Sequence, residues 1–519
     1  MNYLLDAFSK ANPLSRYRST VDATILGAAG GMLCLPFLHS VYWVGDEGLL
    51  IDGALHLISG KALYKDFFEF HPPIGFLATQ LWLMLTGNSL AGARVLIVLV
   101  IAGISFLTFL LCVRVSKSRP VSAALTFIWA LSSQGFWTIL FHHWFTTLFS
   151  LIAFLCLLPG RSQRIHPFFC GFAAGASALT TTSRGGLVVI VAFLTLLGRR
   201  DKVDTWKYIS GGASISALVF LYLLANGSVT AAYQDIIVFA ATRYTGIESV
   251  PFGNGTTIQD FAAVMTFPIA GLLAALVVLR GGLVIFREYD FKAALAFAIA
   301  GLLGSFPRAD SVHLLFAAPL LLPLVALCLT RIAQSRWQAQ AAAAVLLGLM
   351  FTSSLGYYRA VKDTINASPV DTSAGRVRIV RGNVDIGLLK RMSAIGIGQR
   401  VLFYPYDKLL PFLTGDEQVA SLDEFIPQQN TPAQYADACF ETIERARWIV
   451  IDRGWSSAYF RLILPSMTNP DPPEKVQFER AIASDSDVVG TYGDYELRKK
   501  VRNDESLCAN IRRLPNAGH

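Results

Sequence analysis

The sequence predicts a polytopic α-helical membrane protein, with about eleven transmembrane helices, that carries a C-terminal α/β domain outside the membrane. Of its 519 residues, 53% are hydrophobic and 15% are charged, whereas soluble proteins carry about 25% charged residues. The mean hydropathy is +0.48. Nearly all the apolar runs lie within residues 1–356, and residues 357–519 have the composition of a soluble domain. We therefore expect two units that meet near residue 356.

The apolar runs of the first unit are long enough to cross a bilayer, except for the run at 74–85. That run has only about a dozen residues, so we expect it to lie at the surface or to re-enter. With this exception, every cluster of Lys and Arg between the runs falls on one side, as the positive-inside rule requires. The N-terminus is then cytoplasmic and the C-terminal domain extracytoplasmic. The predicted spans are 21–43, 90–113, 120–140, 144–159, 166–182, 185–198, 208–225, 261–279, 292–306, 313–329 and 339–356.

The net charge of +8 does not indicate a nucleic-acid partner. No basic stripe alternates with aromatic residues, and the Lys and Arg residues stand instead in short clusters between apolar runs. Of seven cysteines, five lie in apolar runs, which is typical of small buried side chains. Cys439 and Cys508 lie in the C-terminal domain, where they either form a disulfide or remain free thiols, because spacing alone does not decide pairing.

The C-terminal domain alternates strand-like and helix-like runs. Alternation of this kind predicts an α/β layer. The strand-like runs are 400–404, 448–452, 488–492 and 496–500, and the helix-like runs are 432–446 and 474–484.

Acidic residues cluster in the segment Gly45 to Pro73, which we expect to form the first extracytoplasmic loop, 44–73. The pair Asp46-Glu47 directly follows Tyr42 and Trp43, aromatic residues of the kind found at a membrane–water boundary. A carboxylate at a membrane surface is costly beside lipid unless it faces a wet cavity or a partner. The segment therefore predicts a functional site. Its other candidate side chains are Asp66, Glu69 and His71.

Further polar residues in apolar sequence fall on the same predicted side of the membrane. They are His142, His143, Arg184, Arg243, Arg308, Asp310 and His313. Charges at the ends of apolar helices cost a few kcal/mol unless they are paired or solvated. Their convergence on one face predicts a single polar cavity that opens outward.

Each of these groups has a simpler interpretation. The Asp46-Glu47 pair fits a solvated loop dyad that caps a helix, and Arg184 fits an arginine whose head group reaches the interface. The two adjacent histidines fit boundary residues, since spacing supplies no third metal ligand. Arg308 and Asp310 fit an ion pair at a helix end.

Acidic residues beside outward-facing arginines suit group transfer from an anionic, lipid-linked donor. A carboxylate can accept the proton of an attacking hydroxyl or amine. Arginine can hold the departing phosphate with two hydrogen bonds and a charge that it keeps at all physiological pH values.

The motif that follows the first span resembles that of the GT-C glycosyltransferases. The similarity is greatest to the bacterial branch related to protein O-mannosyltransferases and the lipid A aminoarabinose transferase. The residues that carry the resemblance are Gly60, Leu63, Tyr64, Asp66, Phe67, Phe68, Glu69, His71, Pro72 and Pro73. The later segments FPRADSVHL, YPYDKLLPFLTG, ARWIVIDR and GTYGDYELRKK are similar as well, so the resemblance extends over nearly the whole chain.

The resemblance implies a GT-C-like membrane enzyme in the bacterial inner membrane. It would transfer a sugar from a polyprenyl-phosphate donor, with inversion, on the outer face. Asp46 would be the catalytic base and Glu47 would support it, with Arg308 as the first choice for the donor phosphate and Arg184 the second. Other positions expected to contact the donor are Asp310, His313, Asp66, Glu69, His71 and Arg243.

The acceptor would be an envelope molecule, and we favour a lipid or a polysaccharide such as lipopolysaccharide over a protein. No cofactor is required by the residues. A divalent metal stays open, because no ligand set is evident.

Two other classes of protein remain as alternatives. A transporter or flippase for a lipid-linked saccharide would also carry charges within the membrane, but it predicts paired repeats and polar residues through the whole membrane depth. The sequence contains no repeats, and its polar residues lie on one predicted face. A binding scaffold would leave the Asp46-Glu47 pair without a role.

Overall fold

The computed structural model describes residues 13–158, 166–198, 202–254, 261–380, 382, 384–468 and 470–514. Helices dominate these residues as far as position 366. In chain order the longer α-helices are α1 Pro13–Met32, α2 Val44–Ile58, α3 Ile74–Thr86, α4 Leu90–Ser116, α5 Arg119–Phe136, α6 His142–Leu157, α7 His166–Ala178, α8 Thr182–Leu197, α9 Lys202–Ala225, α10 Phe261–Gly281, α11 Tyr289–Leu303, α12 Ser311–Ile332 and α13 Arg336–Asn366.

Six stretches of the described residues are helical, long and apolar enough to cross a membrane. The chain is therefore a multi-pass membrane protein, while the larger count of eleven spans remains a prediction. Shorter apolar helices include α3, which has 13 residues and matches the run that we expected not to cross. The six stretches are Arg18–Phe37, Leu90–Ser116, Lys202–Ala225, Val264–Gly281, Ser311–Ile332 and Arg336–Asn366.

The segment expected to be a loop from residue 44 is helical over its first half. Helix α1 ends at Met32, and a short strand β1, Ser40–Val41, separates it from α2, so the predicted span to residue 43 is too long. The prediction missed α2 because the acidic pair was assigned to a loop. Carboxylates are in fact favoured in the first turn of a helix, where the helix dipole is positive.

The C-terminal residues form two small sheets. Strands β2 (Pro369–Thr372) and β3 (Gly375–Ile379) pair antiparallel, and β1 joins β3 in parallel with Ser40 opposite Arg378. A strand beside α2 is thus part of a C-terminal sheet, and α13 continues past residue 356 to Asn366.

The larger sheet has five strands in the order β5-β4-β6-β8-β7, parallel between its first three strands and antiparallel between the others. It contains the four runs from which the sequence predicts strands. The strands are β4 Arg400–Tyr404, β5 Glu417–Gln418, β6 Trp448–Asp452, β7 Ser486–Tyr492 and β8 Tyr495–Lys500, with helices α14 Ile386–Ile395, α15 Leu410–Thr414, α16 Pro432–Arg445, α17 Ser457–Ile463, α18 Pro473–Asp485 and α19 Ser506–Arg512.

A disulfide joins Cys439 on α16 to Cys508 on α19, which resolves the alternative that the sequence left open. The two cysteines are 69 positions apart. Disulfides persist in oxidising compartments and are rare in the cytosol, so this bond supports an extracytoplasmic location of the C-terminal sheet.

Replacing both cysteines, Cys439→Ser with Cys508→Ser, is expected to lower the stability of this part by about 2–4 kcal/mol, because the unfolded chain regains the entropy of an open loop. Thermal unfolding of the purified protein followed by fluorescence measures the change. A reductant should lower the midpoint of the wild type and leave the double variant unchanged. Equal midpoints without reductant would contradict the prediction.

Candidate active site

A polar cavity of about 110 Å³ lies where several helix ends meet the C-terminal segments. Helices α2, α6 and α12 each point their first turn at it. Most of its polar lining comes from stretches far apart in sequence, namely Asp46, His71, His142, His143, Tyr244, Glu248, Arg308, Asp310, His313, Tyr406 and Glu424. Aromatic walls complete the cavity, with Phe70, Trp137, Phe141 and Trp455 among them.

Asp46 lies in the first turn of α2 and faces this cavity. Its carboxylate accepts a hydrogen bond of 2.9 Å from the Tyr406 hydroxyl. Glycines at 45 and 48 allow this approach: a Cβ at Gly45 would clash with the Tyr406 ring, and one at Gly48 would clash with the backbone between Lys408 and Leu409. The first turn of α2 is therefore packed directly on the segment after β4.

Glu47 points the other way, into the protein interior. Its carboxylate forms a bidentate ion pair with Arg94 of α4, at 2.6 Å to Nε and 2.7 Å to one terminal nitrogen. Arg94 also donates to the carbonyls of Phe37, Ser40 and Thr138. Both side chains are buried, and Glu47 does not line the cavity. The pair anchors α2 to the helical bundle.

Glu47→Gln is expected to destabilise the fold by about 3–5 kcal/mol, because it leaves the Arg94 guanidinium buried without its counter-charge. Thermal unfolding and the yield of monodisperse protein measure this effect. The matched control is Glu288→Gln, which breaks the exposed pair between Glu288 and Arg331 and should cost about 0–1 kcal/mol. An equal, small effect of both substitutions would show that the Arg94 pair is not an anchor.

Arg308 is the centre of a charged cluster that also lines the cavity. Its guanidinium contacts Glu248 at 2.5 Å and Asp310 at 3.0 Å. Asp310 caps α12 by accepting from the His313 backbone N–H at 2.9 Å, and its carboxylate lies 2.7 Å from Nδ1 of the same residue. Burial lowers the pKa of Arg308, but the carboxylates of Glu248, Asp310 and Asp46 outweigh burial and hold this pKa above its ordinary value.

Four histidine rings run across the floor of the cavity. Successive ring centroids are 4.2 Å apart from His71 to His142, 4.1 Å from there to His143, and 4.7 Å from there to His313. The two outer rings each contact a carboxylate, Glu69 at 2.5 Å and Asp310 at 2.7 Å. The adjacent histidines of α6 thus belong to the cavity and are not boundary residues.

A buried lysine links two more carboxylates beside this row. Lys408 lies 3.5 Å from Glu69 and 3.4 Å from Glu424. Burial raises the pKa of Glu69, but the charges of Lys408 and His71 outweigh burial and hold this pKa at about 2. Burial, together with the charge of Glu69, raises the pKa of Glu424 to about 7 despite Lys408. Of the two carboxylates, only Glu424 lines the cavity and can exchange a proton near neutral pH.

Five predicted residues lie outside the cavity lining: Glu47 and Glu69, described above, and Arg184, Asp66 and Arg243. Arg184 is buried behind the histidines, where it donates to the His313 carbonyl at 3.1 Å and keeps two nitrogens without a hydrogen-bond partner among the described residues. Asp66 is exposed and accepts from the Ala62 backbone N–H at 2.7 Å. Arg243 is half-buried in the π-helical stretch Gln234–Tyr244.

Sequence reasoning missed Glu248, Tyr406, Lys408 and Glu424. Tyr406 and Lys408 lie in the motif YPYDKLLPFLTG, which carries part of the family resemblance. Only their contacts in the folded chain show that they belong to the site. Glu248 follows the π-helical stretch, in the segment between the predicted spans 208–225 and 261–279. Among the described residues, the one group with metal-ligand spacing is Asp52, His56 and Asp423, and none of the three lines the cavity.

The helical membrane bundle, with its polar cavity closed by a C-terminal α/β part, has the GT-C fold, as its similarity to solved structures shows. Solved structures of that fold are similar over almost the whole chain. ArnT from Cupriavidus metallidurans bound to undecaprenyl phosphate has a TM-score of 0.55 at 14% sequence identity, covering 94% of this chain and 98% of ArnT. Its apo structure has a TM-score of 0.52 at 13% identity, covering 93% and 98%.

A mutant of the arabinofuranosyltransferase AftD from mycobacteria has a TM-score of 0.50 at 14% identity, and the match covers 93% of this chain and 42% of AftD. No protein-family model and no curated protein matches the sequence. At these identities the similarity shows the fold, and function must be argued from the site.

Proposed function

We propose that this protein is a glycosyltransferase that moves a sugar from a polyprenyl-phosphate carrier to an extracytoplasmic envelope acceptor, with inversion. The observation that carries the proposal is the placement of Asp46 in one polar cavity with Arg308. A proton acceptor and a phosphate ligand thereby share one site. ArnT, which has the same fold, was solved bound to undecaprenyl phosphate, and this supports a polyprenyl-phosphate donor.

Asp46 is the general base of the proposed reaction. Its carboxylate takes the proton of the acceptor hydroxyl or amine as that group attacks the anomeric carbon of the donor sugar. The attack comes from the face opposite the phosphate, so the new bond forms as the carbon–oxygen bond to the phosphate breaks. The Tyr406 hydroxyl, 2.9 Å away, holds the carboxylate in a fixed orientation.

Arg308 receives the negative charge that develops on the departing lipid phosphate. Two of its nitrogens contact Glu248 and Asp310, and its third, Nη2, has no protein partner in the described part of the chain. Because the neighbouring carboxylates hold its pKa high, the guanidinium stays charged throughout the reaction. Arg184 is the second candidate, since it is buried behind the histidines with two nitrogens unsatisfied.

Most of the remaining predicted residues hold the reacting groups in position. Glu47 orients α2 through Arg94, so it is a positioning residue for Asp46. Glu69, His71, Asp310 and His313 form carboxylate–imidazole pairs that fix the cavity walls. Asp66 and Arg243 lie outside the cavity and are proposed to contact a donor or acceptor only at its edge.

We propose that the protein acts in the inner membrane of a bacterium, with residues 357–519 as an extracytoplasmic domain. The one-sided clusters of Lys and Arg and the disulfide both support this orientation. The acceptor is proposed to be an envelope lipid or polysaccharide.

A transfer assay with purified protein tests the reaction class. The protein is reconstituted in vesicles and given labelled polyprenyl-phosphate sugars with an envelope extract as acceptor. Matched reactions receive the same sugars as nucleotide diphosphate donors. Label in acceptor from the lipid-linked donor alone is expected, and mass spectrometry then identifies the product. Movement of intact donor across the vesicle membrane without transfer would instead favour a transporter.

A further inference from the structure

Three potential metal ligands meet beneath the cavity, where α2 packs against the segment between β5 and α16. Asp52 and His56 lie one helical turn apart on the same face of α2, and Asp423 comes from that segment. Nε2 of His56 is 3.5 Å from Oδ2 of Asp52 and 3.6 Å from Oδ2 of Asp423. One donor atom from each residue lies within 4.8 Å of the other two.

These side chains are buried but poorly satisfied. The relative exposure is 3% for Asp52, 6% for His56 and 6% for Asp423. Oδ2 of Asp52, Nε2 of His56 and Oδ1 of Asp423 have no hydrogen-bond partner among the described residues. Buried polar atoms nearly always have a partner, so an unpaired polar atom on each of three adjoining residues requires an explanation.

The separations fit metal ligands better than hydrogen bonds. Hydrogen bonds from nitrogen to oxygen are about 2.7–3.2 Å long, so 3.5 and 3.6 Å are too long. Ligands about 2.0–2.2 Å from a tetrahedral zinc ion lie about 3.4 Å from one another. The two separations from Nε2 of His56 are therefore close to the distance between two corners of a metal tetrahedron.

We propose that Asp52, His56 and Asp423 bind a divalent transition-metal ion of the zinc class, with water as a fourth ligand. Two carboxylates and one neutral imidazole are suitable ligands for such an ion, and their two negative charges balance it. The site differs from the polar cavity in its residues, and the proposal does not depend on the proposed reaction.

Lys61 sets a condition on binding. Its ammonium lies 3.4 Å from Nδ1 of His56, and an ammonium can only donate a hydrogen bond. A metal on Nε2 leaves the imidazole proton on Nδ1, where an acceptor is preferred. Lys61 is partly exposed, so its side chain can turn to solvent when the metal binds. Lys61→Gln supplies an amide oxygen in its place and is expected to tighten binding.

The metal would act as a positioning device for the cavity. It ties α2, whose first turn carries Asp46, to the segment in which Glu424 directly follows Asp423 and lines the cavity. The two bound carboxylates come from opposite ends of the chain, so the ion would hold the C-terminal segment against α2.

Zinc binding by the full-length purified protein tests the proposal. The protein is stripped with a chelator, reloaded with Zn²⁺ and desalted, and the bound metal is counted by mass spectrometry. Asp423→Asn and His56→Gln should each hold about one zinc ion fewer per chain than the wild type, because losing a ligand weakens affinity by more than about tenfold. The matched controls are Asp371→Asn and His39→Gln, which change exposed residues and should bind zinc as the wild type does.

A wild type that holds no zinc after reloading, or ligand variants that hold as much as the wild type, would overturn the proposal. If the ligand variants do not yield monodisperse protein, Co²⁺ loading of the wild type replaces them. Strong visible absorption, as given by four-coordinate cobalt, supports the site. Lys61→Gln should raise the affinity for Co²⁺ that this absorption measures. Absence of that absorption contradicts it.

Discussion

Asp46→Asn is expected to lower the rate of sugar transfer by about 10²–10⁴-fold, the usual contribution of a general base. Asparagine has the same shape, and its amide oxygen can still accept the hydrogen bond from Tyr406. It cannot take the proton of the acceptor. The loss should therefore fall on kcat, with KM for the donor nearly unchanged, since donor binding does not use this carboxylate.

The control for this variant is Asp371→Asn, which removes an exposed carboxylate on β2. Its transfer rate and unfolding temperature should equal those of the wild type. Thermal unfolding of Asp46→Asn should also be close to wild type, because the residue is half-buried and forms no ion pair with the described residues. Full activity in Asp46→Asn would show that another cavity residue is the base. Glu424, whose pKa is about 7, would then be the first candidate.

Arg308→Gln is expected to reduce transfer by about 10²–10³-fold through loss of a group that stabilises the developing charge. The substitution removes the cation and leaves the carboxylates of Glu248 and Asp310 facing the cavity. These two charges would repel a phosphate. Both kcat and the affinity for the lipid-linked donor should fall. Arg308→Lys keeps the charge without the bidentate geometry and should lie between the wild type and the glutamine variant.

The matched control is Arg331→Gln in the last turn of α12, the helix that follows Arg308. Arg331 pairs with Glu288 at the surface, where an ion pair contributes about 0–1 kcal/mol, so its removal should leave transfer unchanged. Unfolding temperatures separate folding from catalysis. If Arg308→Gln transfers sugar at the wild-type rate, the phosphate ligand is not Arg308 and Arg184 becomes the first candidate.

Much of the site was predictable because its residues are chemically out of place. Asp46, Arg308 and the histidines interrupt apolar sequence, and a charge near lipid is costly unless it has a partner. The positive-inside rule puts these stretches on one side of the membrane, which predicts that they share one cavity. The structure brings Asp46, His71, Arg308, Asp310 and His313 together. Adjacent residues could not be separated in this way: Asp46 and Glu47 have the same sequence context, yet one faces the cavity and the other Arg94.

The sequence by itself determined that this is a multi-pass helical membrane protein with polar groups gathered at one end, because hydrophobic length and charge placement are local properties of the chain. Only the tertiary structure decided the partners. Tyr406 and Asp46 are 360 positions apart, and Asp423 reaches Asp52 and His56 across a similar distance in sequence. Such contacts depend on how α2 packs against the C-terminal segments, which no local pattern of residues specifies.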